Sequence, residues 1–285
     1  MAEDGTSRPG MATPPTPREP APLIAARLRG AAPALKAEWE ADAPHARAFV
    51  LDDLLPDDLA RDINGAFPGD GPFWRRLDTF RERKKTFAKL DRLDPAIATI
   101  TDAFHDAEVI GAVSEITGID GLEADPTLYA GGVSMMETGD FLNPHLDNSH
   151  DAGRRRYRRL NLLYYVTPGW TRDHGGNFEL WDRTVTTPRE IVSRFNRLVV
   201  METNRASWHS VNPVRAAEPR RCVSNYYFSV RSPDGGEYYH VTSFLGRPGQ
   251  PGRRLWGRLD NAMRQTVASL LKISRGKHLG RDRPD

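Results

Sequence analysis

Cysteine is nearly absent: Cys222 is the only one in 285 residues, which excludes an internal disulfide framework. No apolar run approaches the roughly 20 residues a membrane helix requires. A charge surplus is also missing. Forty Lys and Arg stand against 38 Asp and Glu, leaving a formal net charge of +2, whereas a dedicated nucleic-acid binder carries a clear basic excess. The first residues, MAEDGTSRPGMATPPTPREPAP, lack the apolar segment of a signal peptide, and Met11 is a second candidate start. These shortages predict a soluble, cytoplasmic protein with no nucleic-acid or membrane partner. The apolar fraction of 39% is enough for one large core or two small ones.

Along the chain, residues 1–22 are rich in Pro, Thr, Gly and charge and read as a disordered tail. Leu23, Ile24, Leu28, Leu35 and Trp39 follow at helical spacing, with Pro33 expected to break the stretch into two pieces. Arg47–Leu51 reads as a short strand. Pro56-Asp57-Asp58 opens a helix to about Ala66, and two more helices are expected over 94–106 and 107–117, the second stopped by Gly118. From about 127 the pattern changes to short β-rich runs at 127–137, 141–146, 160–167, 177–182, 197–202, 208–214 and 220–231. Turn pairs such as Gly139-Asp140, Gly175-Gly176 and Asn212-Pro213 punctuate them. Many short strands at this spacing predict a sandwich or barrel rather than alternating βαβ units. Residues 23–247 are taken as the main domain. Residues 248–285 are taken as a loop and an amphipathic helix carrying Leu255, Leu259, Met263, Val267 and Leu270.

The sharpest local feature is Asn143-Pro144-His145-Leu146-Asp147. Residues two apart in a strand share a face, so His145 and Asp147 can reach one point. His209 opens another strand about sixty residues later. Two imidazoles and one carboxylate on one side of a metal, with open positions on the other, form the facial triad of non-heme iron oxygenases. An H-x-D tripeptide alone is weak, because most histidines on strands are structural.

The ordered context strengthens it. Gly139-Asp140-Phe141-Leu142 precedes His145, and Arg159–Val166 reads as a central strand. Gly175-Gly176-Asn177-Phe178-Glu179-Leu180-Trp181, Pro188, Asn196–Val200 and His209–Val214 then lead to Arg220 and Arg221. From about Phe49 to Val230 the sequence resembles the Fe(II)- and 2-oxoglutarate-dependent dioxygenase superfamily, in its prolyl-4-hydroxylase-like branch. The resemblance implies a mainly β fold with flanking helices, built on a double-stranded β-helix (jelly roll, cupin-like) core. It implies Fe(II) held by His145, Asp147 and His209, O2 as oxidant, and ascorbate as a candidate reductant. It also implies 2-oxoglutarate as co-substrate, decarboxylated to succinate and CO2 as a substrate C–H bond is oxidised. A basic residue on a late strand would meet its far carboxylate, a task suited to Arg.

Arg220 and Arg221 are adjacent on a strand and face opposite ways, so only one can enter the barrel. If Arg220 faces inward, so do Cys222, Ser224 and Tyr226; if Arg221 does, so do Val223, Asn225 and Tyr227. The first set leaves more room for the co-substrate and is preferred. Tyr165 is a candidate hydrogen-bond partner for 2-oxoglutarate or else a core aromatic. Met135 and Tyr129 are candidates for the pocket wall. His150 and His174 are expected at the surface. Two basic runs, 81–85 and 154–159, read as solvated faces or as a receptor for an anionic substrate or carrier. The expected substrate is a small, amino-acid-like molecule. A prolyl residue of a peptide or protein is the alternative, and a non-catalytic jelly-roll binding module is the reading from another class.

Overall fold

The computed structural model describes residues 19–41, 44–129, 131–257, 259, 261 and 263. In chain order its regular elements are α1 (Pro20–Glu40), β1 (Ala48–Leu51), α2 (Asp57–Gly65), β2 (Arg75–Asp78), β3 (Glu82–Phe87), α3 (Pro95–His105) and α4 (Ala107–Thr117). There follow β4 (Glu123–Ala124), β5 (Gly132–Met136), β6 (Phe141–Leu146), β7 (Tyr157–Tyr165), β8 (Phe178–Trp181), β9 (Pro188–Ile191), β10 (Arg197–Glu202), β11 (His209–Val211), β12 (Arg220–Ser229) and β13 (Ser243–Phe244).

The strands form one curled antiparallel sheet in the order β1-β10-β7-β12-β5-β3-β6-β11-β8-β9, with β2 on β3, β4 on β12 and β13 on β6. This is the expected mainly β architecture with few flanking helices. Period-two alternation divides its two faces. Leu198 and Val200 of β10, Leu160, Leu162 and Tyr164 of β7, and Val223 and Tyr227 of β12 join a core with helices α1, α3 and α4. Val199, Met201, Tyr165 and Cys222 point the other way, into the barrel, with Phe178, Leu180 and Val211. The helices cover one face of the sheet, and the other face curls around a cavity.

Several helical expectations hold at their ends. Asp94 and Asp106 cap α3 and α4 by accepting from Ala96 N and Glu108 N, and Gly118 terminates α4 at φ 67°. Pro33 does not split the first helix: α1 runs unbroken from Pro20, inside the segment read as tail. Its missing N–H is offset by burial of Ile24, Leu28, Leu35 and Trp39 against the sheet and helices. Residues 1–18 lie outside the described residues.

The run 81–85, read as a solvated face or an anion receptor, lies largely within a strand. That strand is β3, which sits between β5 and β6 in the sheet. His150, expected at the surface, is buried among Tyr157, Tyr238 and Tyr239. His174 is half-buried, its Nδ1 accepting from Thr171 N in a one-turn cap. Residues 251–257 are helical as expected, but Leu255, Leu259 and Met263 are exposed, and Val267 and Leu270 lie outside the described residues.

Candidate active site

Strands β6 and β11 pair with His145 opposite His209. This register brings together two residues 64 positions apart, their ring centroids 4.0 Å from each other. Asp147 follows β6, with its Oδ1 3.7 Å from His145 Nε2 and its Oδ2 3.4 Å from His209 Nε2. One ligand atom from each of the three lies within 4.8 Å of the others.

The backbone fixes both tautomers. His145 Nδ1 donates to Asn143 O at 3.1 Å and His209 Nδ1 donates to Ser207 O at 2.9 Å. Each Nε2 therefore carries its lone pair toward Asp147, the arrangement a metal-binding imidazole needs. Burial, with the neighbouring His209, pushes His145 down to about 3, and burial lowers His209 as well. Burial alone would raise Asp147. Arg158, the two histidines and Asn161 outweigh it and hold the carboxyl well below the usual range. Two neutral imidazoles and one carboxylate, pre-oriented on one side of a cavity, fit a divalent iron with open positions.

Arg158 and Asn161 escape a reading by sequence parity. Arg158 Nη1 lies 3.0 Å from Asp147 Oδ2, and Asn161 Nδ2 donates to the same oxygen at 2.7 Å. Alternation would put residues 158 and 161 on opposite faces. Opposite β7, however, Tyr227 pairs Leu160 while Phe228 pairs Arg158, so Arg159 is an extra residue in a β-bulge. The bulge resets the parity and brings both side chains to Asp147. Arg158 is buried with its guanidinium over the Tyr226 ring, and its Nε and Nη2 have no hydrogen-bond partner among the described residues. The basic run 154–159 is otherwise absorbed by structure, with Arg156 pairing Asp151 and Glu123, and Arg154 lying over Tyr239.

The triad opens on a cavity of about 520 Å³. Its wall includes Arg220, Cys222, Ser224 and Tyr226, the even-numbered face of β12. Arg221 points outward and donates from Nη1 to Asn64 Oδ1 of α2 at 2.9 Å. Arg220 is buried, donates to Ser193 Oγ at 3.1 Å, approaches Met136 Sδ at 3.2 Å and lies over the Tyr165 ring. No carboxylate pairs with it among the described residues, and a buried guanidinium in that condition fits an anionic ligand. Gly176 has φ 61°, and a Cβ there would lie 2.9 Å from Arg220 Cδ. The Gly-Gly turn thus permits both a left-handed backbone and the close approach of this arginine.

Tyr165 lies behind Arg220 rather than on the cavity wall. Burial pushes its hydroxyl up to about 12, and the group sits near Arg220 and Ser193 without a well-formed hydrogen bond. Of the other wall candidates, Tyr129 lines the cavity; Met135 faces the helices, and its neighbour Met136 lines the cavity instead. Phe244 of β13 stacks on the His145 ring with centroids 5.3 Å apart. A two-residue strand near the C-terminus gives too short a pattern to be recognised in sequence.

Residues 131–229 match the family model described as the 2OG-Fe(II) oxygenase superfamily. The mouse prolyl 3-hydroxylase OGFOD1 is 28% identical over 119 residues, which cover 40% of this chain and 21% of that protein. The chain thus spans about a fifth of the length of this curated relative. Among solved structures, a Pseudomonas putida prolyl-4-hydroxylase superposes with TM-score 0.50 at 16% identity, over 72% of this chain and 98% of its own. A prolyl 4-hydroxylase from Phytophthora capsici gives TM-score 0.50 at 16% identity, over 92% of this chain and 81% of its own. These structural likenesses show the double-stranded β-helix fold, and the segment that matches the family model, residues 131–229, contains His145, Asp147, His209 and Arg220.

Proposed function

We propose that this chain is an Fe(II)- and 2-oxoglutarate-dependent hydroxylase of a small, amino-acid-like substrate. The observation that carries the reading is the convergence of His145 Nε2, His209 Nε2 and the Asp147 carboxylate on one cavity, with both histidine tautomers set by backbone carbonyls. Those three residues would hold the iron. Arg220, supported by Ser193 and Tyr165, would take the far carboxylate of 2-oxoglutarate by charge-assisted hydrogen bonds. When bound, iron and 2-oxoglutarate supply O2 activation, coupled to release of succinate and CO2. The chain's own part is to keep His145 and His209 neutral, keep Asp147 ionised through Arg158 and Asn161, and present a walled cavity of about 520 Å³ to the substrate.

A succinate-release assay with Fe(II), 2-oxoglutarate and a panel of amino acids, peptides and carrier-bound acids tests the reading. His145→Ala, Asp147→Ala and His209→Ala each remove one of three protein ligands and are expected to abolish turnover and weaken Mn(II) binding. Wild-type metal binding in His209→Ala would refute the ligand set. Hydroxylation of a prolyl residue within a peptide is the second reading, favoured by the likeness to the mouse prolyl 3-hydroxylase and the Pseudomonas prolyl-4-hydroxylase. A non-catalytic binding module is disfavoured, because it has no need of two tautomer-locked histidines beside an ionised aspartate.

A further inference from the structure

The cavity wall holds charge that iron and co-substrate binding leave unused. Strand β3 alternates so that Glu82, Lys84 and Thr86 face the cavity. The intervening Arg83 and Lys85 face away and are paired, Arg83 with Asp78 at 3.1 Å and Lys85 with Asp70 at 2.5 Å and Glu137 at 2.7 Å. On the adjoining β2, Arg75 and Leu77 also face the cavity. The hairpin register sets Arg75 opposite Thr86 and Leu77 opposite Lys84. Arg75 and Lys84 are therefore diagonal neighbours on one face, a spacing of about 7–8 Å between backbones that long side chains can bridge.

Two cations placed this way repel unless an anion joins them. Arg75 has no acidic partner among the described residues, and Lys84 Nζ lies 3.2 Å from Glu82 Oε2. The ionisable lining comprises cations at Arg75, Lys84, Lys89, Arg158 and Arg220 against carboxylates at Glu82 and Asp147. Five minus two leaves three positive charges. On the function proposed above, Fe(II) and doubly charged 2-oxoglutarate cancel, so loading the site does not remove this excess. Arg220 is committed to the co-substrate and Arg158 to Asp147, and of the remaining cations Arg75 and Lys84 share the cavity face of the β2–β3 hairpin.

Resting on that proposed function, we infer that the cavity face of the β2–β3 hairpin receives a free carboxylate of the substrate, with Lys84 and Arg75 as its specificity-determining residues. Lys84 holds the inner position, lining the cavity together with His145, His209 and Cys222. Arg75 stands on the exposed strand, where an incoming acid meets it first. The substrate class is then a small acid with its own terminal carboxylate. An internal residue of a peptide has an amide at that position and leaves Arg75 without an anion and Lys84 with Glu82 alone.

The test uses the full chain loaded with Mn(II) and N-oxalylglycine, a 2-oxoglutarate analogue. Calorimetry is run against the set of N-acetylated amino acids, each as free acid and as carboxamide. Failure of N-oxalylglycine to bind would count against the proposed function itself, so the two failures are distinguishable. With loading intact, at least one acid is expected to bind about tenfold or more tighter than its amide. Lys84→Gln is expected to reduce that preference to within about twofold, and Lys84→Arg to retain most of it. Arg83→Gln, on the outer face of the same strand, is the control that keeps it. Should Lys84→Gln not fold, Arg75→Gln on the exposed edge is measured in its place, with the same loss expected. Equal binding of acid and amide, binding of no acid in the set, or an undiminished preference in the Gln variant overturns the inference.

Discussion

His145 and Asp147 share a strand face by a rule visible in five residues, and His209 completes them only because β6 and β11 pair in one register. The adjacent arginines pose the reverse problem. Their opposite orientation is legible in sequence, whereas the choice between them rested only on the smaller residues beside Arg220. In the fold Arg220 lines the cavity and Arg221 reaches Asn64. Arg220→Ala is therefore expected to raise the 2-oxoglutarate Km by at least about a hundredfold, roughly 2.7 kcal/mol of lost carboxylate binding. Arg221→Ala is expected to leave Km within about threefold and to act on stability through α2. Steady-state kinetics at varied 2-oxoglutarate separates the two, and the opposite result would transfer the role to Arg221. Little change in either variant would undermine 2-oxoglutarate as co-substrate.

At the scale of elements, the segment after β12 does more than link to a terminal helix. Phe244 of β13 stacks on His145, and Arg247 meets the buried Glu179 through two hydrogen bonds of 3.1 and 2.8 Å. Glu179 also accepts from Ser210 Oγ, beside His209. Removing the guanidinium would leave a buried carboxylate without its cation, a loss on the order of 3 kcal/mol. Arg247→Met is expected to lower the denaturation midpoint accordingly and to loosen Mn(II) binding severalfold, because the segment carrying Phe244 is no longer clamped. Unchanged denaturant and metal titrations would show that β13 holds its place without this pair. The pattern of β3 is hidden in sequence for a different reason. Glu82-Arg83-Lys84-Lys85 is polar on both faces, since one face lines a charged cavity and the other is ion-paired. No hydrophobic alternation survives to mark it as a strand.

Over the whole molecule, packing around the barrel buries histidines well beyond the candidate metal site. His105, His145, His150, His209 and His240 all lie below the usual imidazole value, chiefly through burial, with His240 at about 4. In the unfolded chain each takes up a proton near pH 6.5, whereas the native state resists it. The unfolded state therefore binds more protons as pH falls, and stability drops from about pH 6.5 downward. The lowered carboxyls of Asp147, Asp52 and Asp151 add a further loss only at more acidic pH. Metal-free protein is expected to show a melting temperature that is level between pH 7 and 8 and declines steadily from pH 6.5 to 4.5. A level profile through that lower window would mean these imidazoles are protonated in the fold.

The sequence by itself determined the β-rich class of fold, the helix ends near 94, 106 and 118, and the shared face of His145 and Asp147, because caps and period-two alternation are local rules that act over a few residues, while His209 joined them through the ordered context that resembles a known family. Only the tertiary structure decided the rest. It kept α1 intact across Pro33, moved Arg158 to Asp147 through a bulge defined by the partner strand, turned Arg220 inward and made a charged run into the wall of a cavity. Each of these depends on what a second, distant segment presents, and pairing register and burial are properties of two segments at once.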